Sequence, residues 1–513
     1  PLHLKATANG SSNTLTWYKP NTNLGEGIQS YTLKWNTDNG TSWTTVTGIT
    51  GTTYTHSGVN TANNYYYEVF ANNQGGAGAV SNRVSVAAIP SNGVTITHSN
   101  GSTTVNEAGY GQGFYDWPEL TSPNAFNAAV TGDPAGNLYV AGYQSGNIAS
   151  IAKYNSSGTQ QWISTVSVGA PQASEIRDVL VDSSGNSYLV YGDRNIYVSK
   201  FNSSGTNQWT NTYTTPGTNN EGPSSAEIHN DQIYINGYTN GTWTGQTKTG
   251  QYDSLILVLD TDGNQVSVSQ TGGASPALLI PSSLAVDSNG NYYQAGSISW
   301  TTGTRTLDGQ TCSSSACVFV RKFNSSHSHQ WTRLYPWSTS TKGGSIKLNA
   351  AENRIYWVNT TSENSAINGQ TNPLEPTSAI TVIVNSLLTS DGDFDWTTYL
   401  PYHTISIAGN YGQGGLAVDA FDNLYALYYQ PNPKPDYYGE QGETQITKLN
   451  SSGVEQWTRT TGGETPAFMG GPSEIAYDIH SSSGGQLYIV GGSNGFNGKF
   501  HGDSISPNTV FLF

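Results

Sequence analysis

Between residues 127 and 166 four short runs alternate apolar and polar side chains: NAAVTGD, NLYVAGY, ASIAKYN and TQQWISTV. Alternation with a period of two puts every second side chain on one face, which is the pattern of a half-buried β-strand. The four-run unit returns in degenerate form to the end of the chain. Aligned on the tyrosine of the second run, the copies carry Tyr139, Tyr188, Tyr234, Tyr293, Tyr356, Tyr425 and Tyr488, separated by 49, 46, 59, 63, 69 and 63 residues. Seven copies of that length, each with four strands, predict a seven-bladed β-propeller.

Turn chemistry sets the strand limits. Asp-x-x-Gly-Asn separates the first and second runs at Asp133 to Asn137, Asp182 to Asn186 and Asp287 to Asn291. Asp starts a type I turn and Gly takes the left-handed position that closes the hairpin. Asn-Ser-Ser-Gly or a relative of it separates the third and fourth runs at Asn155, Asn202 and Asn450, and a tryptophan follows at Trp162, Trp209 and Trp457, with Trp331 and Trp396 in less regular copies. A single four-stranded sheet leaves apolar faces uncovered, so the Tyr and Trp rings are expected between stacked sheets. The last copy stops after its third strand, at Thr509 to Phe513. Its fourth is expected from Gly113 to Leu120, GFYDWPEL, whose Trp117 lies 45 residues before Trp162.

Residues 1–89 resemble a fibronectin type III domain. The resemblance rests on Trp17 in LTWYKP, on the hairpin SYTLKWNTDNGTSWTTV, and on Tyr65-Tyr66-Tyr67-Glu68-Val69-Phe70-Ala71-Asn72-Asn73 followed by Gly75 and Ser81. It implies a sandwich with Tyr65 at the tyrosine corner, and a spacer or binding module rather than a catalyst. Asn36-Thr-Asp38-Asn-Gly40-Thr-Ser-Trp43 nearly matches the Asp-box of sialidase propellers. It occurs once, at the place of a fibronectin hairpin, and is read as a turn. Residues 90–110 form a connector with two Thr/Val runs around Asn100-Gly101, a hairpin or a strand open to pairing with another molecule.

From residue 111 to 513 the chain resembles the SBBP-type bacterial propeller repeat, GN-x-Y-x-x-G followed by K-x-(N/D)-x-x-G-x-x-x-W. Lys153, Lys200, Lys322 and Lys448 stand in the Lys place; the third copy has Leu257-Val258-Leu259-Asp260 and no Trp, and the fifth has Val384-Asn385. The resemblance implies an architecture and no single activity.

Composition narrows the compartment and the partners. Only 11% of the 513 residues are charged, 35% are hydrophobic and 11% aromatic, and the net charge is -15. Such a chain folds around β cores, and its charge excludes nucleic acid and anionic membranes as partners. No apolar run is long enough to span a membrane. Cys312 and Cys317 in TCSSSAC predict a local disulfide in the fourth blade, hence an oxidising compartment, and no zinc-type pair accompanies them. A chain that begins at Pro1 directly in a β domain is expected to be a mature product or a fragment.

Candidate chemistry is sparse. Long, irregular connections lie on one face from the third blade onward, and loops of that kind carry function. Their aromatic residues are Trp243, Tyr252, Trp300, Trp337, Tyr402, Tyr411, Tyr437 and Tyr438, the last two in YYQPNPKPDYYGEQGE. Such rings stack on sugars or pack against protein; equally, they pin down long loops. Glu175, Asp178, Glu227, Glu474 and Asp478 lie near the first strands and are candidates to line a channel; a glycosidase would need two of them to converge. His327 and His329 sit in a tight turn. Asp260-Thr-Asp262-Gly263-Asn264 lacks the later bidentate Glu of a calcium loop and reads as another turn. No phosphate-binding glycine loop, nucleophile elbow or zinc motif occurs, and no cofactor is expected. The nine Asn-x-Ser/Thr sequons, at Asn9, Asn39, Asn100, Asn155, Asn202, Asn240, Asn324, Asn359 and Asn450, are about as many as chance supplies in so Asn-rich a chain.

The expectation is an extracellular or cell-surface protein without enzymatic activity. It adheres to other surface proteins or to glycans, or pairs with its own copies in a filament or layer. The alternative is a carbohydrate-binding or glycan-cleaving propeller working through the long-loop face.

Overall fold

The computed structural model describes residues within 2–105 and 129–512, apart from 19–27, 87–93, 168–175, 300–305, 338–343, 362–378, 406–414, 432–441, 462–473 and several shorter gaps. The described secondary structure is all β. Two compact units divide the chain, Pro1–Asp116 with Glu455–Thr458, and Trp117–Val454 with Arg459–Phe513.

In the first unit, Leu2–Asn9, Ser12–Tyr18 and Thr53–Ser57 form one sheet; Thr44–Ile49, Ser30–Asn36, Tyr65–Asn73 and Gly76–Val80 form the other, with Val84–Val86 also on Tyr65–Asn73. The alternation of Tyr65–Asn73 turns Tyr65, Tyr67 and Val69 inward. They meet Leu4, Leu15, Trp17, Tyr31 and Leu33 in one core, where Trp17 and Tyr31 make an edge contact at 5.3 Å. The Asn60 N–H donates to the Tyr65 hydroxyl at 2.8 Å, the bond of a tyrosine corner. The near Asp-box spans the connection between two strands that pair antiparallel. In the connector, Val94–His98 and Gly101–Val105 pair with each other around Asn100.

From Ala129 onward the chain forms six four-stranded antiparallel sheets, each in chain order, and a seventh of three described strands. Their first strands are Ala129–Gly132, Ile176–Val181, Glu221–His229, Leu278–Val286, Ser345–Leu348, Leu416–Val418 and Glu474–Ser481. Each first strand packs against the next, and that of the seventh sheet packs against that of the first. The strand expected to complete the seventh sheet, 113–120, lies outside the described residues.

The repeat tyrosine knits each turn to its sheet. Tyr139, Tyr188, Tyr293 and Tyr425 donate to the carboxylates of Asp133, Asp182, Asp287 and Asp419, which also cap their own turns. The repeat lysine crosses the tyrosine ring, as Lys200 does over Tyr188 at 5.5 Å, and Lys200 Nζ then donates to the Thr261 carbonyl of the following sheet at 2.7 Å.

The tryptophan of each outer strand belongs structurally to the next sheet. The Trp162 indole covers Gly205 so closely that a Cβ there would fall 2.6 Å from the ring, and its Nε1 donates to the Ser203 carbonyl at 2.9 Å. Trp331 lies over Gly392 and Trp396 over Gly453 in the same way, while the Trp209 ring stands 3.1 Å from the Cβ place of Gly263 and its Nε1 makes no hydrogen bond among the described residues. The third sheet breaks the series and the fourth answers it. Ser267 pairs with Val258 where the first, second and fourth sheets put Trp against Lys, and the Gly place of the next hairpin holds His327, at φ +61°. His327 Nε2 and Ser267 Oγ are 2.7 Å apart, so a side-chain hydrogen bond replaces the ring-on-glycine contact.

Candidate functional site on the axis of the second unit

Where the seven first strands converge, charged side chains from four sheets come within electrostatic reach of one another. Register explains which ones. Glu227, Lys347 and His480 pair with the repeat tyrosines Tyr234, Tyr356 and Tyr488, the position that Leu180 and Ala285 fill as core residues opposite Tyr188 and Tyr293. Two residues earlier on their strands, Asp178 pairs with Val190 and Asp478 with Val490, each just after a β-bulge. A bulge re-aims the following side chain, here toward the neighbouring sheet.

Each of the three carboxylates spans a junction between sheets. The Ala226 N–H donates to Asp178 Oδ2 at 3.0 Å, the Val130 N–H to Asp478 Oδ2 at 3.0 Å, and the Val286 N–H to Glu227 Oε2 at 3.0 Å. Ser283 Oγ does the same for the Ile346 N–H at 3.1 Å. Each first strand is an edge of its own sheet, so these N–H groups have no further strand to bond, and a side chain of the adjoining sheet supplies the acceptor.

The electrostatics follow from enclosure. Burial, helped by the field of Asp478, pushes the Asp178 carboxyl up to about 7. Burial raises Asp478 as well, against the backbone donors and Lys347, and raises Glu227 against the pull of Lys347. For Lys347 burial acts downward, yet the fields of Glu227, Asp178 and Asp478 outweigh it and keep the ammonium firmly charged. Burial, then Lys347, lowers His480 to about 4. Lys347 is ringed by protein and still accessible to solvent.

Chemically, the axis can clamp strands and hold a proton. Among the described residues no group of three or more His, Cys, Asp or Glu side chains is arranged to hold a metal ion. Of the five carboxylates expected to line a channel, Asp178, Glu227 and Asp478 are brought together. Glu175 lies outside the described residues, as does the side chain of Glu474. Sequence reasoning missed Lys347; the available signal was its place two residues before the turn residue Asn349, where the other copies have Thr131, Leu180, Ala285 and Ala417.

On the long-loop face Trp243 takes the second of the two readings, pinning down its loop: it is 6% accessible and packs in the core with Leu255 and Leu257, its Nε1 donating to Gln265 Oε1 at 3.1 Å. The loop folds back over its own sheet because two buried acids gather it. Asp253 accepts from the N–H groups of Thr249 and Gly250 at 3.0 and 2.7 Å and from Gln270 Nε2 at 2.9 Å. Glu221 accepts from the hydroxyls of Thr214, Thr215 and Thr239. Tyr252 is half-buried, in edge contact with Tyr238 at 5.7 Å, and accepts a bond from Asn220. Trp337 ends the strand His329–Trp337 and Tyr402 lies in Phe394–Ile405. Trp300, Tyr411, Tyr437 and Tyr438 lie outside the described residues.

The predicted disulfide between Cys312 and Cys317 is present, below the small Thr306–Thr311 hairpin. That hairpin's Asp308 lies 3.6 Å from the buried Arg321 and 3.5 Å from His329. Among the described residues no helix is long and apolar enough to cross a membrane.

Residues 1–87 match the fibronectin type III domain model, and the chain carries that domain at its N-terminus. An Fn3-like protein from Clostridium thermocellum is 36% identical over 17% of this chain and 86% of its own, with a TM-score of 0.15. A putative 6-phosphogluconolactonase from Bacteroides uniformis is 12% identical over 74% of this chain and 99% of its own, with a TM-score of 0.41. A polysaccharide lyase of family PL25, an ulvan lyase, is 10% identical over 77% and 95%, with a TM-score of 0.44. A search of the curated proteins found no match.

Proposed function

We propose that the chain is a non-enzymatic extracellular protein in which a fibronectin type III domain is joined to a seven-bladed propeller that serves as a rigid display scaffold for adhesion or assembly. The observation that carries this reading is the use of the axial acids. In a hydrolase the carboxylates at such an axis face a substrate; here Asp178, Glu227 and Asp478 each bind the backbone of the adjoining sheet. Contact between the first strands of the seventh and first sheets supports a closed ring, completed in this reading by residues 113–120. The Lys and Trp of the copies, read as SBBP-type, tie successive sheets together, as a scaffold requires. The fibronectin domain and the disulfide are consistent with an extracellular site. A surface with so few charges suits contact with other copies, with surface proteins or with neutral glycans.

Electron microscopy of the native material, with antibody labelling of intact source cells, tests the proposal. Surface label together with ordered polymers supports assembly; surface label on single particles that bind a glycan, lost on replacing Trp300 or Tyr437, supports adhesion. Turnover of a polysaccharide by the purified chain, abolished by Asp178→Asn, would overturn the non-enzymatic reading.

A further inference from the structure

The outer hairpins carry groups that the fold itself does not use. In the second, fourth and sixth sheets the turn between the third and fourth strands begins with Asn202, Asn324 and Asn450, each the first residue of an Asn-Ser-Ser sequence. The Oδ1 of each accepts two backbone N–H groups: those of Ser204 and Thr206 at 3.1 and 2.9 Å, of Ser326 and Ser328 at 3.1 and 2.9 Å, and of Ser452 and Val454 at 3.1 and 2.9 Å. Asn155 opens the corresponding turn of the first sheet, its Oδ1 accepting from the Thr159 N–H at 2.8 Å. The turn needs only that one oxygen. In the third sheet Asp260 stands at the same place and caps the N–H groups of Asp262 and Asn264 at 2.9 and 2.8 Å, its other oxygen meeting Asn264 Nδ2, a donor that the three Asn turns lack.

An aspartate therefore serves the turn as an asparagine does, and the amide nitrogen is surplus to folding. Among the described residues the Nδ2 of Asn202, Asn324 and Asn450 donates to no protein atom, and each is open to solvent. The hydroxyls of Ser204, Ser326 and Ser452 have no duty in the turn either, and all three serines are exposed. In two of the turns the middle residue is gripped from behind, Trp162 Nε1 donating to the Ser203 carbonyl at 2.9 Å and Trp396 Nε1 to the Ser451 carbonyl at 3.1 Å. An amide and a hydroxyl held open in this order are the two groups that attachment of a sugar to asparagine requires.

We propose that Asn202, Asn324 and Asn450 are attachment sites for N-linked sugar, set at the same place on three sheets. In the step the bond from Nδ2 to the sugar C1 forms, the C1–O bond of an activated glycosyl phosphate breaks, the phosphate leaves with that electron pair, and one amide proton is released. Asn359 is the contrast: its sequon lies within the strand Arg354–Thr361, where it is 4% exposed, and it stays bare. The inference rests on the extracellular reading, because such sugars mark surface segments of secreted chains.

Peptide mass spectrometry of the protein purified from its source cells tests it. A sugar mass is expected on the peptides that hold Asn202, Asn324 and Asn450, and none on the peptide that holds Asn359. Bare peptides at two or more of the three sites overturn the proposal, and so does sugar at Asn359. Antibody labelling of intact cells tells which reading has failed: bare sites on a labelled surface sink the attachment sites alone. In source cells Ser204→Ala is expected to lose the mass at Asn202 and nowhere else. In the unmodified recombinant chain Asn202→Asp keeps the capping oxygen and is expected to leave Tm unchanged; a lower Tm would give the amide a structural duty and remove the ground for the proposal.

Discussion

Replacing Gly205 by Ala tests whether the indole laid on the next sheet's hairpin holds the second unit together. Two costs are readable. Gly205 has φ +81°, where an L side chain costs about 1 to 2 kcal/mol. A methyl group there would also stand 2.6, 2.7 and 2.9 Å from three atoms of the Trp162 ring, against an optimal separation of about 3.5 to 4.0 Å. The indole must lift by roughly 1 Å. Lifting breaks its bond to the Ser203 carbonyl, worth about 1 kcal/mol, and opens the ring contact, worth about as much again. The expected loss is about 3 to 4 kcal/mol. Gly136→Ala is the control, because it has nearly the same φ, +80°, but its nearest contact would be Ser156 Cβ at 3.4 Å. It should lose only the strain of about 1 to 2 kcal/mol. Urea unfolding followed by far-UV circular dichroism and tryptophan fluorescence measures both. Equal losses in the two variants would refute the stacking argument. So would a double-mutant cycle of Gly205→Ala with Trp162→Leu that shows no coupling.

Further outcomes follow from other contacts. Asp253→Ala leaves three inward donors without their acceptor and is expected to cost about 3 kcal/mol or more, with early hydrogen exchange at Thr249 and Gly250; unchanged exchange there would contradict the anchoring role. Cys312→Ser with Cys317→Ser opens a five-residue separation and is expected to cost about 2 kcal/mol, with lost exchange protection concentrated in the Thr306–Thr311 hairpin, as hydrogen-exchange mass spectrometry would report. His327→Gly gives up bonds to both Ser267 and the buried Tyr292 hydroxyl against relief at φ +61° and is expected to cost about 1 to 2 kcal/mol in urea unfolding; no loss at all would speak against the two bonds. Adding Ser267→Trp to it should restore the ring-on-glycine pair and stabilise the double variant relative to Ser267→Trp alone; the reverse order would count against the pairing rule.

What was legible in the chain was local. Period-two alternation and the Asp-x-x-Gly-Asn turns placed strands and hairpins because both signals lie within a few residues, and Gly136, Gly185 and Gly290 take the positive φ those turns need. Tyr65 was legible as a corner for the same reason, its partner being five residues away. The destination of each tryptophan was not, because its glycine lies on the following copy, and only the register of the assembled sheets brings them together. Which reading Trp243 takes was not legible, because its loop, GTWTGQTKTG, is otherwise polar, and the acids that fold it inward, Asp253 and Glu221, sit on strands and carry no turn or cap signature. The axis was half legible. Its acids were picked out by position, but Lys347 follows no motif, and the acids around it come from strands that begin at residues 176, 221 and 474.

The tryptophan that leans on the following sheet has a consequence for how such a chain can change its number of copies. Each regular copy carries one ring to give and one glycine to receive, so a duplicated or deleted copy leaves the neighbours on either side still compatible. At this contact, growth or loss by recombination between regular copies leaves no ring and no glycine unmatched. The third and fourth copies are the exception. With Ser267 on one and His327 on the other, a crossover between them would leave a tryptophan against a histidine or a serine above a bare glycine, so these two copies are bound to be inherited together.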